Sequence, residues 1–190
     1  MDLQPQLGRI VLELADARRR AHEIAAPLPG ELWSTRPAVD QWSVAECLIH
    51  LNLTSRAFLP LIKDAIRKGR DLKLLGGGPY RRDVVGWFVY WITDPPVRFR
   101  VKTTAPFVPE GVEPRGRVLD AFDMLQGQVA DCVREADGFD LGRLRIVSPF
   151  DSRLKYNLYS GLRIIPAHQR QHLLQAEQVI RSLRSVGGGG

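Results

Sequence analysis

Residues Trp42 to Ala65, WSVAECLIHLNLTSRAFLPLIKDA, decide the fold. Ser43 followed three residues later by Glu46 is a capping box, in which each side chain satisfies a free amide in the other's turn. Trp42, just before the cap, is placed to act as a hydrophobic staple. Val44, Leu48, Leu51, Ser55, Phe58, Ile62 and Ala65 then recur at steps of three and four, so one stripe of a long helix is buried. Gly69 predicts its end. Outward from this helix, the same spacing returns three times. Leu3, Leu7, Ile10, Leu14, Ala17, Ala21 and Ile24 mark a first helix of about six turns, stopped by Pro27, Pro29 and Gly30. Val118, Phe122, Leu125, Val129, Cys132 and Ala136 mark a third, from about Gly116 to Ala136. A fourth is predicted from near Ser152 to about Leu183, with Leu154, Leu158, Leu162, Ile165, Ala167, His168, His172, Gln175 and Val179 on its buried side. Pro166 lies inside it, which predicts a kink or a restart.

No strand alternation competes with these four helices, and the expected fold is an all-α four-helix bundle. Gly76-Gly77-Gly78-Pro79 is a loop; without a following Gly-Lys-Ser/Thr it is not read as a phosphate cradle. Tyr80 to Ile92, with Trp87, Tyr90 and Trp91, reads either as a short helix packed on the bundle or as an irregular insert. Pro95, Pro96, Pro106, Pro109 and Pro114 make Thr93 to Arg115 an extended connection, long enough for a crossover between the second and third long helices. A single domain over 1–186 with a flexible glycine tail at 187–190 is expected.

With 190 residues the chain can bury a core without staples. Two isolated cysteines, Cys47 and Cys132, form no disulfide framework and no CxxC pair, which suits a reducing cytoplasm. The N-terminus lacks the pattern of a signal peptide. The longest apolar run, Val84 to Ile92, is about half of the roughly 20 residues a spanning helix needs, so no membrane is expected. Lys plus Arg number 27 against 21 Asp plus Glu, a net charge of +6. The basic residues are scattered and carry no helix-turn-helix, zinc-finger or RNP signature, which argues for a solvated surface rather than a nucleic-acid partner.

There are 4 histidines. His168 and His172 are spaced i, i+4 and project from one helical face, a spacing able to chelate one cation. His50 lies two turns into the second helix and can complete a three-nitrogen site if the second and fourth helices are neighbours. Three buried neutral imidazoles would leave ring nitrogens unsatisfied, and charged ones would repel; a divalent metal resolves both. Helical spacing puts Glu46 one turn before His50, where it could accept a ring proton or serve only the capping box. Gln175, three residues after His172, could bind a metal-bound water or only satisfy packing. Asn52, Arg56, Arg153, Tyr156 and Tyr159 are weaker candidates. His22, on the first helix, reads as a surface residue.

The stretch Trp42-Ser43-Val44-Ala45-Glu46-Cys47-Leu48-Ile49-His50-Leu51 resembles the W-S-x-x-E-x-x-x-H-L segment of the DinB-like superfamily. His168-Gln169-Arg170-Gln171-His172-Leu173-Leu174-Gln175 resembles its H-x-x-x-H-L-x-Q segment near the C-terminus. The sequence departs from the family pattern at Pro166 and in the middle stretch 76–115. The resemblance implies a four-helix bundle with a divalent metal, zinc or nickel, on His50, His168 and His172. Three protein nitrogens leave coordination positions open. An open site lowers the pKa of a bound water or holds a thiol as thiolate. The resemblance accordingly implies a hydrolase or an S-transferase using a low-molecular-weight thiol, acting on a small molecule. A non-catalytic, metal-stabilised binding or stress-response module is the alternative. The resemblance also implies a homodimer, with Trp87 to Trp91 as a candidate contact surface; burial of that segment in the core is the alternative.

Overall fold

The structure is a computed structural model that describes residues 3–96, 103–111 and 113–187. Among the described residues there are six helices: α1 (Pro5–Ala25), α2 (Gly30–Trp33), α3 (Val44–Asp71), α4 (Val84–Thr93), α5 (Arg115–Glu135) and α6 (Leu158–Gly187). A 3-10 turn covers Ala105–Phe107, and two short strands, β1 (Arg145–Val147) and β2 (Lys155–Asn157), form an antiparallel pair. The glycine tail beyond Gly187 lies outside the described residues, as do 97–102 of the proline-rich connection.

The long helices are α1, α3, α5 and α6, and their predicted stripes are the buried ones. Leu7, Ile10 and Leu14 of α1, Leu48, Leu51 and Ile62 of α3, Phe122 and Val129 of α5, and Leu158 and Leu162 of α6 are all essentially inaccessible. The capping box of α3 forms as its sequence demands: Ser43 Oγ accepts from the Glu46 amide, and Glu46 Oε2 accepts from the Ser43 amide at 2.8 Å.

Pairings along the helices give their directions. Gln6 meets Tyr159, Glu13 meets Arg163 and Arg170, and Arg20 meets Glu177, so α1 and α6 run parallel. Arg18 and His22 meet Asp123 while Gln4 meets Asp137, so α1 and α5 run antiparallel. Asn52 donates to the Val118 carbonyl and Leu75 bridges Phe139 beyond the far end of α5, so α3 and α5 run parallel. Parallel neighbours cannot be joined by a tight turn, and this is the physical reason for the long connection between α3 and α5.

On the way back the connection lays α4 against α6. Tyr80 to Ile92 therefore resolves as a short helix, capped by Asp83, whose Oδ1 accepts from the Gly86 amide at 3.0 Å. Gly86 faces Ser160 of α6 with no room for a Cβ. The opposite face of α4 is open: Trp87 and Phe88 are each 51% exposed and Val84 84%.

One expectation is corrected at the entry to α6. The helix starts at Leu158, not near Ser152, because residues 155–157 pair with β1 in the register Ile146 to Tyr156. Asn157 then caps the helix, its Oδ1 accepting from the Ser160 amide at 2.8 Å. The alternation around Ile146 spans three residues, too short for a period of two to stand out. Of the two outcomes expected at Pro166, a kink or a restart, the restart does not occur, since α6 runs on through the proline. α3 likewise continues two residues past Gly69 and carries Pro60 internally.

Two apolar clusters fill the bundle. One gathers Leu7, Phe58, Leu125, Tyr156 and Ile165; the other gathers Ala21, Val44, Leu51, Phe122, Leu173 and Val179. Along α6, His168 and His172 fall between the two clusters, while on α3 His50 lies among Leu48, Ile49 and Leu51 of the second.

Candidate metal centre

α3 and α6 bring the three predicted histidines together. One ring nitrogen from each of His50, His168 and His172 lies within 4.8 Å of the other two. All three are buried, at 3%, 8% and 9% exposure. His50 Nε2 and His168 Nε2 stand 3.3 Å apart. Two nitrogens bound to one zinc at 2.0–2.1 Å with a tetrahedral angle would be separated by about 3.3–3.4 Å. The spacing of this pair therefore suits a shared cation.

Two backbone or side-chain acceptors orient the rings. His50 Nδ1 donates to the Phe107 carbonyl at 2.7 Å. His172 Nδ1 donates to Gln175 Oε1 at 2.9 Å. With Nδ1 carrying the proton, Nε2 of each neutral ring has a free lone pair. A hydrogen-bonded outer nitrogen of this kind is the usual support of a ligating histidine.

Burial also holds the rings neutral. Desolvation lowers His50, lowers His168 well below the ordinary histidine range and lowers His172 to about 3, with mutual repulsion among the rings adding to the effect at His168 and His172. The neutral imidazole is the ligating form. An aromatic wall contributes to the burial. Trp42 stacks on His172 at 5.8 Å between ring centroids and lies 4.9 Å from His50; Phe150 lies 5.2 Å from His168, and Phe107 meets both His50 and Phe150 edge-on.

The remaining candidates lie elsewhere. Glu46 is taken up by its capping box and by a bidentate pair with Arg36, so it does not reach His50. Burial opposes ionisation there, but the Arg36 guanidinium and the Ser43 donors hold the carboxyl below its usual range. Asn52 binds the Val118 carbonyl, Arg56 is exposed, Arg153 pairs with Asp151, Tyr156 is sealed in the core and Tyr159 meets Gln6. His22 is an exposed partner of Asp123. Sequence reasoning missed Phe107, since a backbone carbonyl in a proline-rich connection carries no residue signature.

The family model described as DinB superfamily matches residues 13–176. The chain belongs to the DinB superfamily. The match spans α3 and His50, His168 and His172 of this DinB protein. No curated protein and no solved structure matches the chain. Among the described residues of this DinB chain, no helix is long and apolar enough to cross a membrane.

Proposed function

We propose that this DinB-superfamily protein is a divalent-metal-dependent enzyme acting on a small molecule, with His50, His168 and His172 as ligands and zinc or nickel as the metal. The observation that carries this reading is the convergence of three buried, neutral imidazoles, two of which, His50 and His172, have their outer nitrogens already occupied by Phe107 and Gln175. A cation held by three protein nitrogens keeps a position open and supplies Lewis acidity to a small nucleophile there, either water or a low-molecular-weight thiol. The reactions in keeping with this are hydrolysis and thiol S-transfer. The chain's own part is to fix the tautomers of His50 and His172 and to exclude water on the flank closed by Trp42, Phe107 and Phe150. The buried free thiols Cys47 and Cys132 accord with a reducing cytoplasmic setting. The same reading includes a homodimer seated on the exposed aromatic face of α4.

The test begins with metal analysis of the purified protein and of His172→Ala, each after re-addition of zinc and of nickel. One equivalent in the wild type and a large loss in the variant are expected; near-zero metal in both sinks the proposal. A panel of esters and small thiols then separates the two reactions. Metal binding with no turnover on any panel member would leave the alternative, a metal-stabilised binding module.

A further inference from the structure

On the flank of α6 away from the histidines, α1, α6 and the segment just before α4 border a cleft of about 200 Å³ lined by Gln6, Arg9, Arg82, Tyr159 and Arg163. His168 and His172 face α3, whereas Arg163 and Arg170 reach across to α1 and α4. The cleft is thus separate from the candidate metal centre. Its charges do not balance internally. One carboxylate, Glu13, serves three guanidinium groups, at 3.3 Å to Arg9 and 3.0 Å to both Arg163 and Arg170; Arg170 has Asp94 as a second partner.

Arg82 has neither. Its guanidinium lies 4.0 Å over the Tyr90 ring, and its Nη1 is fully buried with no hydrogen-bond partner among the described residues. The adjacent Asp83 cannot serve it, being committed to Gly86, Asn157, Ser160 and Arg145. A buried donor left unmade is costly, and more so on a charged group. Tyr159 adds a further donor: its hydroxyl accepts from Gln6 Nε2 at 3.2 Å, which leaves its own proton to give. Because α1 and α6 run parallel, the cleft sits beside the first turns of both, where their dipoles also favour negative charge.

We propose that this cleft binds a phosphate group, with Arg82, Arg163 and Tyr159 as donors and Arg9 closing the outer side. Several guanidinium forks around one opening suit an oxyanion with three or four acceptor oxygens and more than one negative charge better than a single carboxylate. The phosphate is either free or carried by a small organic molecule. The assignment stands on residues outside the histidine cluster and holds whether or not that cluster takes a metal.

The experiment is calorimetric titration of the chelator-treated full chain, at matched ionic strength, with inorganic phosphate, with glycerol 3-phosphate and with acetate. Saturable binding of either phosphate is expected, and the tighter of the two identifies the source. Arg82→Gln is expected to weaken it by about tenfold or more, and Tyr159→Phe by a few fold; His172→Ala is expected to leave it unchanged. Tyr159→Phe keeps the ring, so the test survives if Arg82→Gln folds poorly. No saturable phosphate binding, equal binding of acetate, or binding lost in His172→Ala but kept in Arg82→Gln overturns the proposal.

Discussion

Gln175 accepts from His172 Nδ1, and this one contact sets which nitrogen of the ring is available. Gln175→Leu removes the acceptor while keeping the volume. It is expected to weaken zinc binding by about 10- to 100-fold, measured by competition with a chromophoric chelator. Unchanged affinity would mean that the contact is only packing. A second expectation concerns acid. In the unfolded chain the three histidines take up protons near pH 6.5, whereas in the metal-free fold burial keeps His50, His168 and His172 neutral to lower pH. The unfolded state therefore binds more protons below about pH 6.5, and stability falls as pH falls, by up to about 1.4 kcal/mol per pH unit for each histidine. Urea unfolding of the metal-free protein at pH 7.5, 6 and 5 should show little change above 6.5 and a clear loss below it. A flat profile would contradict the buried, neutral triad. The three histidines were legible because a spacing of four and a capping box place them on known helical faces. The acceptor at Phe107 was not, because it is a main-chain atom brought in by a chain crossing 57 residues away.

At the scale of elements, α4 depends on a close approach. Gly86 packs against Ser160 of α6 where a Cβ would collide, and Asp83 ties the two helices by accepting from Gly86, Ser160 and Asn157. Gly86→Ala is expected to push α4 outward at a cost of about 1–3 kcal/mol, despite the better helix propensity of alanine. Urea denaturation measures the cost, and a gain in stability would refute the contact. In sequence Gly86 reads only as an interruption of an apolar run, since nothing local says which neighbour crosses there. The same limit explains the start of α6. Residues Leu154 to Leu158 continue an apolar helical spacing into a segment that pairs as a strand, because tertiary pairing with β1 outweighs local periodicity. By contrast, the stripes of α1, α3 and α5 predict their helices closely, since each buries one face against two neighbours and needs no other information.

At the scale of the molecule, α3 and α6 meet at the three histidines beside the apolar cluster that holds Leu48, Leu51 and Leu173. On the proposed function, a metal tying the two helices would bind the folded state in preference to the unfolded one. At a thousandfold excess over its Kd it adds about 4 kcal/mol. For a chain of this length each kcal/mol is worth about 2–4 °C. Chelation should therefore lower Tm by about 8–16 °C in the wild type and by nothing in His172→Ala, as read by calorimetry. An equal shift in both proteins would trace it to the chelator.

The parallel run of α1 beside α6 has a consequence for synthesis. Gln6 and Tyr159 are 153 residues apart, and Arg20 and Glu177 are joined over 157. While the chain emerges from the ribosome, α1, α3 and α5 can gather, but the side of the bundle that α6 closes stays open and apolar. Two of the three histidines arrive with that same helix. The nascent protein therefore exposes its core until its last described helix is made, and at that stage chaperones would have a surface to hold.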